Sequence, residues 1–311
     1  MSLKIIMTFL MLLVLLEGRG QVGENNYFRL MREADALYSN GLFAEAAVKY
    51  AAMYRQRPTN NYAEYIGLSA MECYLATNVL DSSLFFLNKI LDVNAFSDSE
   101  ALNNVSHLEK LKSLPEWTSI QNKIELNRIA KEKQVILPLK EKLESMYDQD
   151  QNLRVLGDSI DRRYGFESIE SKSHWKVITE LDSLNMIVLD SILKVHGWPS
   201  IVQVGLKGNS AVWLIIQHSS IEKQKEYLPL MRAAVLEGKA SPSEFAMLED
   251  RVAVQEGRKQ IYGSQVGRDE TTGQFYFLPI EDEANVNARR DAVGLEPLEY
   301  YAENWGIGRR E

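Results

Sequence analysis

Residues 209–218 read NSAVWLIIQH, from Asn209 to His218, and the fold follows from how that stretch is read. It is apolar on every side at helical spacing, which marks a helix buried all round. Such a helix needs partners on every face, so its neighbours should be amphipathic helices. Upstream, Val177, Ile178, Leu181, Leu184, Val188 and Ile192 recur as the core stripe of a helix from about Trp175 to Val195. Asn185 lies one turn from both Leu181 and Val188 and shares that stripe, where a buried amide requires a specific hydrogen-bond partner. His196-Gly197-Trp198-Pro199 then closes the helix: Gly197 fits the C-cap and Pro199 prevents the helix from resuming.

Downstream, Gln217 and His218 end the buried stretch. The helix macrodipole favours an imidazolium at a C-terminus, so His218 reads either as a cap or as a functional group. Gln224 sits beside Tyr227, Leu228 and Met231 on the apolar face of the next helix, placing two amides and an imidazole toward one interior. Ser241-Pro242-Ser243-Glu244 opens a further helix that Gly257 ends. On it, Asp250 and Arg251 fall beside apolar residues, and neither is plainly solvent-facing. Gln260–Val266 (QIYGSQV) then alternates like a strand, with Gln260, Tyr262 and Ser264 on one side. A polar turn over 267–273 leads to a returning strand, Gln274–Ile280 (QFYFLPI).

The N-terminal half has a different texture. Ala34, Leu37, Gly41, Ala46, Tyr50, Met53 and Pro58 fall at the spacing of helical hairpins, in which small residues let two helices approach and Pro ends the second. One repeat length onward, Ala70, Cys73, Thr77, Ser82 and Phe86 take the equivalent slots in a degenerate second copy. The segment resembles tetratricopeptide-like hairpins, which implies a protein or peptide partner; alternatively the hairpins cap the next domain. A charged helix over 120–147, interrupted at Pro138, connects the halves.

The formal net charge of -8 and the scattered Lys and Arg argue against a nucleic-acid partner. Lys4 followed by the apolar run Ile5–Leu16 (IIMTFLMLLVLL), with Gly18 and Gly20 before Gln21, matches a secretory signal. The run is shorter than the about 20 residues of a bilayer span, so the expectation is export and a mature chain without a transmembrane span; the alternative is a segment retained uncleaved as a membrane anchor. Cys73 is the only cysteine, which excludes an internal disulfide and a Cys-based zinc site and leaves a small buried packing residue. The expected organisation is a signal peptide over 1–20, a helical arm over 21–117, a connecting helix over 118–147 and a domain over 148–311. The expected fold is mainly α: antiparallel helical hairpins, then a helical C-terminal domain with a small antiparallel β-hairpin.

A family resemblance rests on an ordered set of residues: Asp150-Gln151-x-x-Arg154, Asp182-x-x-Asn185, Gly197-Trp198-Pro199, Gln217-His218, Asp250-Arg251, Tyr262-Gly263-Ser264-Gln265 and Gly294-Leu295-x-Pro297-Leu298. Over its second half the chain resembles a bacterial family classed as a domain of unknown function, whose members show GWP, QHAD-like, DRV and YGTQ motifs. Here QHAD reads Gln217-His218-Ser219-Ser220, which removes a carboxylate. The resemblance implies a defined domain and brings no established activity.

No HExxH, phosphate loop or GxSxG occurs, the four histidines are isolated, and no ligand pair has helical spacing, so neither a metal nor a cofactor is expected. The leading reading is a binding protein with a polar pocket for a small polar or anionic ligand. Its candidate residues are Gln217, Arg251, Gln260, Tyr262 and Gln265, with Asp150, Arg154, Asn185 and Trp198. A second reading is a hydrolase or lyase, with His218 as general acid or base, Asp250 orienting it and Arg251 holding an anionic group. In a third, these groups satisfy one another inside the core.

Overall fold

The computed structural model describes residues 26–59, 62–269 and 271–308, so the expected signal segment lies outside the described residues. Among the described residues, no helix is long and apolar enough to cross a membrane. The chain is mainly helical and divides into two compact units between Lys133 and Gln134. The expected connecting helix is therefore shared out. Its first part lies in α7 (Trp117–Glu132) of the first unit, and its second part begins α8 (Leu137–Tyr164) of the second. Pro138 sits in the first turn of α8, where its missing N–H costs nothing.

The first unit opens with four helices of 14 residues each: α1 (Asn26–Ser39), α2 (Phe43–Gln56), α3 (Ala63–Ala76) and α4 (Leu80–Val93). Each packs on the next. The second pair follows the first at an offset of 37 residues, Asn26 to Ala63 and Phe43 to Leu80. The turns repeat as well. Leu42 N–H donates to the Leu37 carbonyl across Gly41 (φ +75°), and Val79 N–H donates to the Tyr74 carbonyl across Asn78 (φ +63°). Gly and Asn are the residues that enter this left-handed position most easily. The sequence register using Ala70, Cys73, Thr77, Ser82 and Phe86 is thus one residue short. Asn78 does the work of Gly41, and Met71, Ser83, Leu87 and Ile90 are buried where Ala34, Ala46, Tyr50 and Met53 are. Cys73 is fully buried, as a packing residue should be. Short helices α5 (Ser99–Asn103) and α6 (Glu109–Lys112) precede α7, which packs on α4.

The second unit is built around α10 (Ile201–His218), which breaks at Gly205 (φ +74°) and is otherwise regular. Ser200 and Gln203 form a reciprocal capping box at its start. Val204, Ala211, Val212, Ile215 and Ile216 share one core with Leu139, Leu143 and Met146 of α8, and with Met186, Leu189 and Leu193 of α9 (Ile169–His196). Tyr227 and Met231 of α11 (Ile221–Leu236) and Phe245 and Leu248 of α12 (Pro242–Gln255) complete it. Each large aliphatic side chain buried there contributes about 1.5–3 kcal/mol, so the all-round apolar reading of 209–218 accounts for the architecture. The stripe of α9 is rotated from the expected one. Ile178 and Asn185 are buried as expected, but Val177 and Leu184 are exposed while Met186, Leu189 and Leu193 face the core. Apolar residues on more than one face of α9 leave period alone unable to choose between them.

Beyond α12, β1 (Val266–Arg268) pairs antiparallel with β2 (Phe275–Phe277), with Val266 opposite Phe277 and Arg268 opposite Phe275. The hairpin is present, but residues 261–265 are not a strand. Their backbone amides are drawn off by side chains, as described below. α13 (Val286–Ala292) and α14 (Leu298–Trp305) end the described chain.

Candidate functional site

Three helices bring four charged or titratable side chains together. Asp150 and Arg154 lie one turn apart on α8, Asp182 is on α9, and His218 is the last residue of α10. Asp150 Oδ1 lies 2.9 Å from His218 Nδ1. The Arg154 guanidinium donates to Asp182 Oδ1 at 2.7 Å and to both Asp150 oxygens, at 3.2 and 3.3 Å. Gln151 Nε2 donates to Asp150 Oδ2 at 2.7 Å. The Asp150 side chain is 1% exposed and the His218 side chain 18%, so the cluster runs from a buried carboxylate outward to a solvent-reachable ring.

Arg154 Nε also lies 3.1 Å from His218 Nδ1, and one nitrogen cannot both donate to Asp150 and accept from Arg154. Arg154 Nε has Asp150 Oδ2 as a second acceptor, whereas the ionised Asp150 has nothing to donate. In the neutral ring, placing the proton on Nδ1 therefore satisfies every group and leaves Nε2 as a bare acceptor. Nε2 has no hydrogen-bond partner among the described residues.

Burial raises the Asp150 carboxyl, but the His218 hydrogen bond and charge, followed by Arg154 and Gln151, outweigh it and hold the group below its ordinary 3.8. Asp182 goes the other way: burial raises it despite the Arg154 bond. Donor atoms of Asp150, Asp182 and His218 all lie within 4.8 Å of one another, a spacing that suits a cation. The Arg154 guanidinium already bonds both carboxylates, so a metal ion would have to displace it.

The residues expected to form one pocket fall into two clusters. Asp250 is fully buried and does not orient His218. Its carboxylate accepts the backbone N–H groups of Ile261 (2.6 Å), Tyr262 (3.0 Å) and Ser264 (2.9 Å), holding the loop after α12 in place. Gln260 is also fully buried. Its amide accepts from Gln265 N–H at 2.8 Å and donates to the Gln265 and Leu278 carbonyls, doing with a side chain what a strand ladder does with backbone. Gln265 donates to the Ser264 hydroxyl and the Met247 carbonyl, and the Tyr262 hydroxyl donates to Glu249. Gly263 stands at φ +72°, with a Cβ there falling 2.8 Å from Leu298 Cδ1. Arg290 reaches the Tyr262 and Glu296 carbonyls, and the Tyr301 hydroxyl donates to the Ser264 carbonyl. This second cluster is a polar knot that fastens the C-terminal segment, and Asp250, Gln260, Tyr262 and Gln265 belong to it.

The remaining expected residues are Asn185, Gln217, Arg251 and Trp198. Asn185 is one turn beyond Asp182, and its Nδ2 has no partner among the described residues, contrary to the expectation of one. Gln217 is buried beside His218 with Oε1 likewise unpartnered, and Arg251 Nε is in the same state. Gln224 is fully buried and donates to the Gln217 and Ser219 carbonyls, tying the turn that carries His218. Trp198 packs among the apolar side chains of the core, with its Nε1 also unpartnered among the described residues. Ser220, where the family resemblance expects an acid, is the N-cap of α11. Its side chain makes no capping hydrogen bond there. Asp182 is the site member that the sequence placed in a motif but not in the site. An open apolar cleft between α8 and α9, lined by Ile136, Leu139, Ile187 and Val195, is a separate feature.

The geometry defines a helical domain with a half-open Asp–His–Arg–Asp cluster and a separately knotted C-terminal segment. Residues 138–305 match a family of unknown function, DUF6624, and the chain belongs to that family. The match runs from the first turn of α8 to the last residue of α14 and spans both clusters. No curated protein and no solved structure gives a significant match.

Proposed function

We propose that the DUF6624 domain of this chain binds a small polar ligand at the His218 cluster, and that His218 exchanges a proton with it through Nε2. One observation carries this reading: a buried carboxylate fixes His218 Nδ1 while Nε2 is left unbonded on a partly exposed ring. That is the arrangement by which a carboxylate holds an imidazole in one tautomer for acid–base work. Asp150 takes the orienting role that the sequence had given to Asp250. Ligand-observed NMR on the whole protein, with a mixture of small acids, amides and esters, tests it. His218→Ala should stay folded, by circular dichroism, and lose the bound component. A variant that unfolds, or that binds as wild type does, would make the cluster a satisfied core instead.

The hydrolase or lyase reading is the catalytic form of the same proposal and is favoured by the Asp150–His218 pairing. The apolar run Ile5–Leu16 supports export of the chain, and the two successive hairpins of the first unit support a docking role for a protein or peptide partner.

A further inference from the structure

Resting on the reading of the His218 cluster as a ligand site, we propose that Arg251 is the anchor for an oxyanion, a carboxylate or phosphate group, which its guanidinium holds beside Arg154 and His218 Nε2.

Among the described residues, Arg251 differs from every other arginine of its unit. Arg154, Arg232, Arg258 and Arg289 pair with carboxylates, Arg290 and Arg268 reach carbonyls, Arg162 meets a hydroxyl and Arg163 lies over a tyrosine ring. Arg251 has no ion pair and no ring beneath it, and its buried Nε has no acceptor. Arg251 is half-buried, so the cost falls on its buried Nε, a charged donor withdrawn from water without an acceptor, and arginine cannot escape by releasing its proton at neutral pH.

Its position ties it to the first cluster. Arg251 and Gln255 lie one turn apart on α12 and share a face. Gln255 Nε2 donates to Gln224 Oε1 at 3.3 Å, and Gln224 in turn holds the Gln217 and Ser219 carbonyls on either side of His218. Asp250, the preceding residue, is turned into the knot and gives Arg251 no charge partner. Burial, then the like charge of Arg154, both disfavour the cationic form of Arg251. Asn185 Nδ2, a donor on a residue flanking the same cluster, is likewise unpartnered. An oxyanion resolves the arrangement, because the planar guanidinium fork matches the two oxygens of a carboxylate or phosphate.

The test is thermal denaturation of the full chain in inorganic phosphate and in acetate, each against chloride at matched ionic strength. Wild type should show a saturable rise in Tm with at least one of the two, since binding to the folded state alone stabilises it. A rise with phosphate only marks a phosphorylated ligand, and one with acetate only marks a carboxylate. Arg251→Gln should weaken the half-saturation by roughly 10- to 100-fold, the range for one lost charged hydrogen-bonding partner. Arg251→Lys should fall between. No response beyond chloride, or an equal response in Arg251→Gln, overturns the proposal. Arg251→Met in anion-free buffer gives a readout that needs no ligand. It should melt at or above the wild-type temperature if the cation is uncompensated, and a clear loss of stability would show a satisfied structural arginine. His218→Gln separates the two readings. A response kept there and lost in Arg251→Gln upholds the anchor whether or not His218 moves a proton. A response lost there and kept in Arg251→Gln leaves the His218 site standing and overturns the anchor.

Discussion

Removing the Asp250 carboxylate should unfasten the C-terminal segment without disturbing His218. The carboxylate, fully buried, accepts three backbone N–H groups within 3.0 Å, from Ile261, Tyr262 and Ser264. Each buried donor left without an acceptor costs about 1–3 kcal/mol, so Asp250→Ala should lose roughly 3 kcal/mol or more, unless water enters the loop. Asp250→Asn keeps one acceptor oxygen. Its Oδ1 could still serve Ile261 and Tyr262, but the new NH2 would confront the Ser264 donor, so about 2 kcal/mol is expected. Guanidinium denaturation of the whole chain reads the loss, and hydrogen exchange should place it in residues 260–265 and in α14, which the Tyr301–Ser264 bond fastens to that loop. Reaction of His218 with diethylpyrocarbonate, mapped by peptide mass, should keep its wild-type rate. A folded Asp250→Asn protein with less than about 0.5 kcal/mol lost and an altered His218 rate would refute this reasoning and restore Asp250 as the orienting acid.

Three further outcomes are expected. Asp150 and Asp182 should shape the acid limb of stability in opposite directions. The depressed Asp150 carboxyl contributes stability that is present above its ordinary 3.8 and lost as pH falls through its lower folded value; the raised Asp182 carboxyl contributes stability present below 3.8 and lost as pH rises through its folded value. Urea midpoints from about pH 2.5 to about pH 6 should therefore change slope with opposite sign in Asp150→Asn and Asp182→Asn, and a change of the same sign in both would count against the geometry. Gly67→Ala should destabilise the first unit by about 1–3 kcal/mol, because the added Cβ falls 2.3 Å from Ile90 Cγ2 where α3 meets α4; a neutral result in chemical denaturation would deny that close approach. Cys73 is fully buried, and burial, then the neighbouring Glu72 charge, pushes its thiol up to about 12, so a disulfide reagent should not label it before the first unit unfolds. Labelling at the rate of a free thiol would place it at the surface.

The architecture was legible where hydrophobic pattern speaks alone. The all-apolar stretch ending at His218 identified the central helix, and the cap at Ser241 and the stop at Gly197 lie where polar and Gly signals stood. Pattern failed where several faces are apolar, as with Val177 and Leu184 on α9, and where side chains replace a ladder, as with Gln260. For the site, polar residues set among apolar neighbours were a sound guide to importance and a poor guide to pairing. Asp150 and His218 are 68 residues apart, and nothing in a single sequence joins them. Asp250 lies beside apolar residues and Asp150 lies in the polar run Asp148–Asn152, so the text gives no reason to pair the second with His218 rather than the first. One meets an imidazole and the other meets backbone amides, which are donors that every residue but proline carries and that no sequence advertises.

The most direct measurement is the protonation pattern of the His218 ring, read by long-range proton–nitrogen NMR on the full chain at neutral pH, with Asp150→Asn as the comparison. The proton should reside on Nδ1, facing Asp150, with Nε2 bare, and the pattern should change when Asp150 becomes an amide. A proton on Nε2, with Nδ1 bare toward Arg154 and no response to Asp150→Asn, would contradict an oriented, proton-transferring His218.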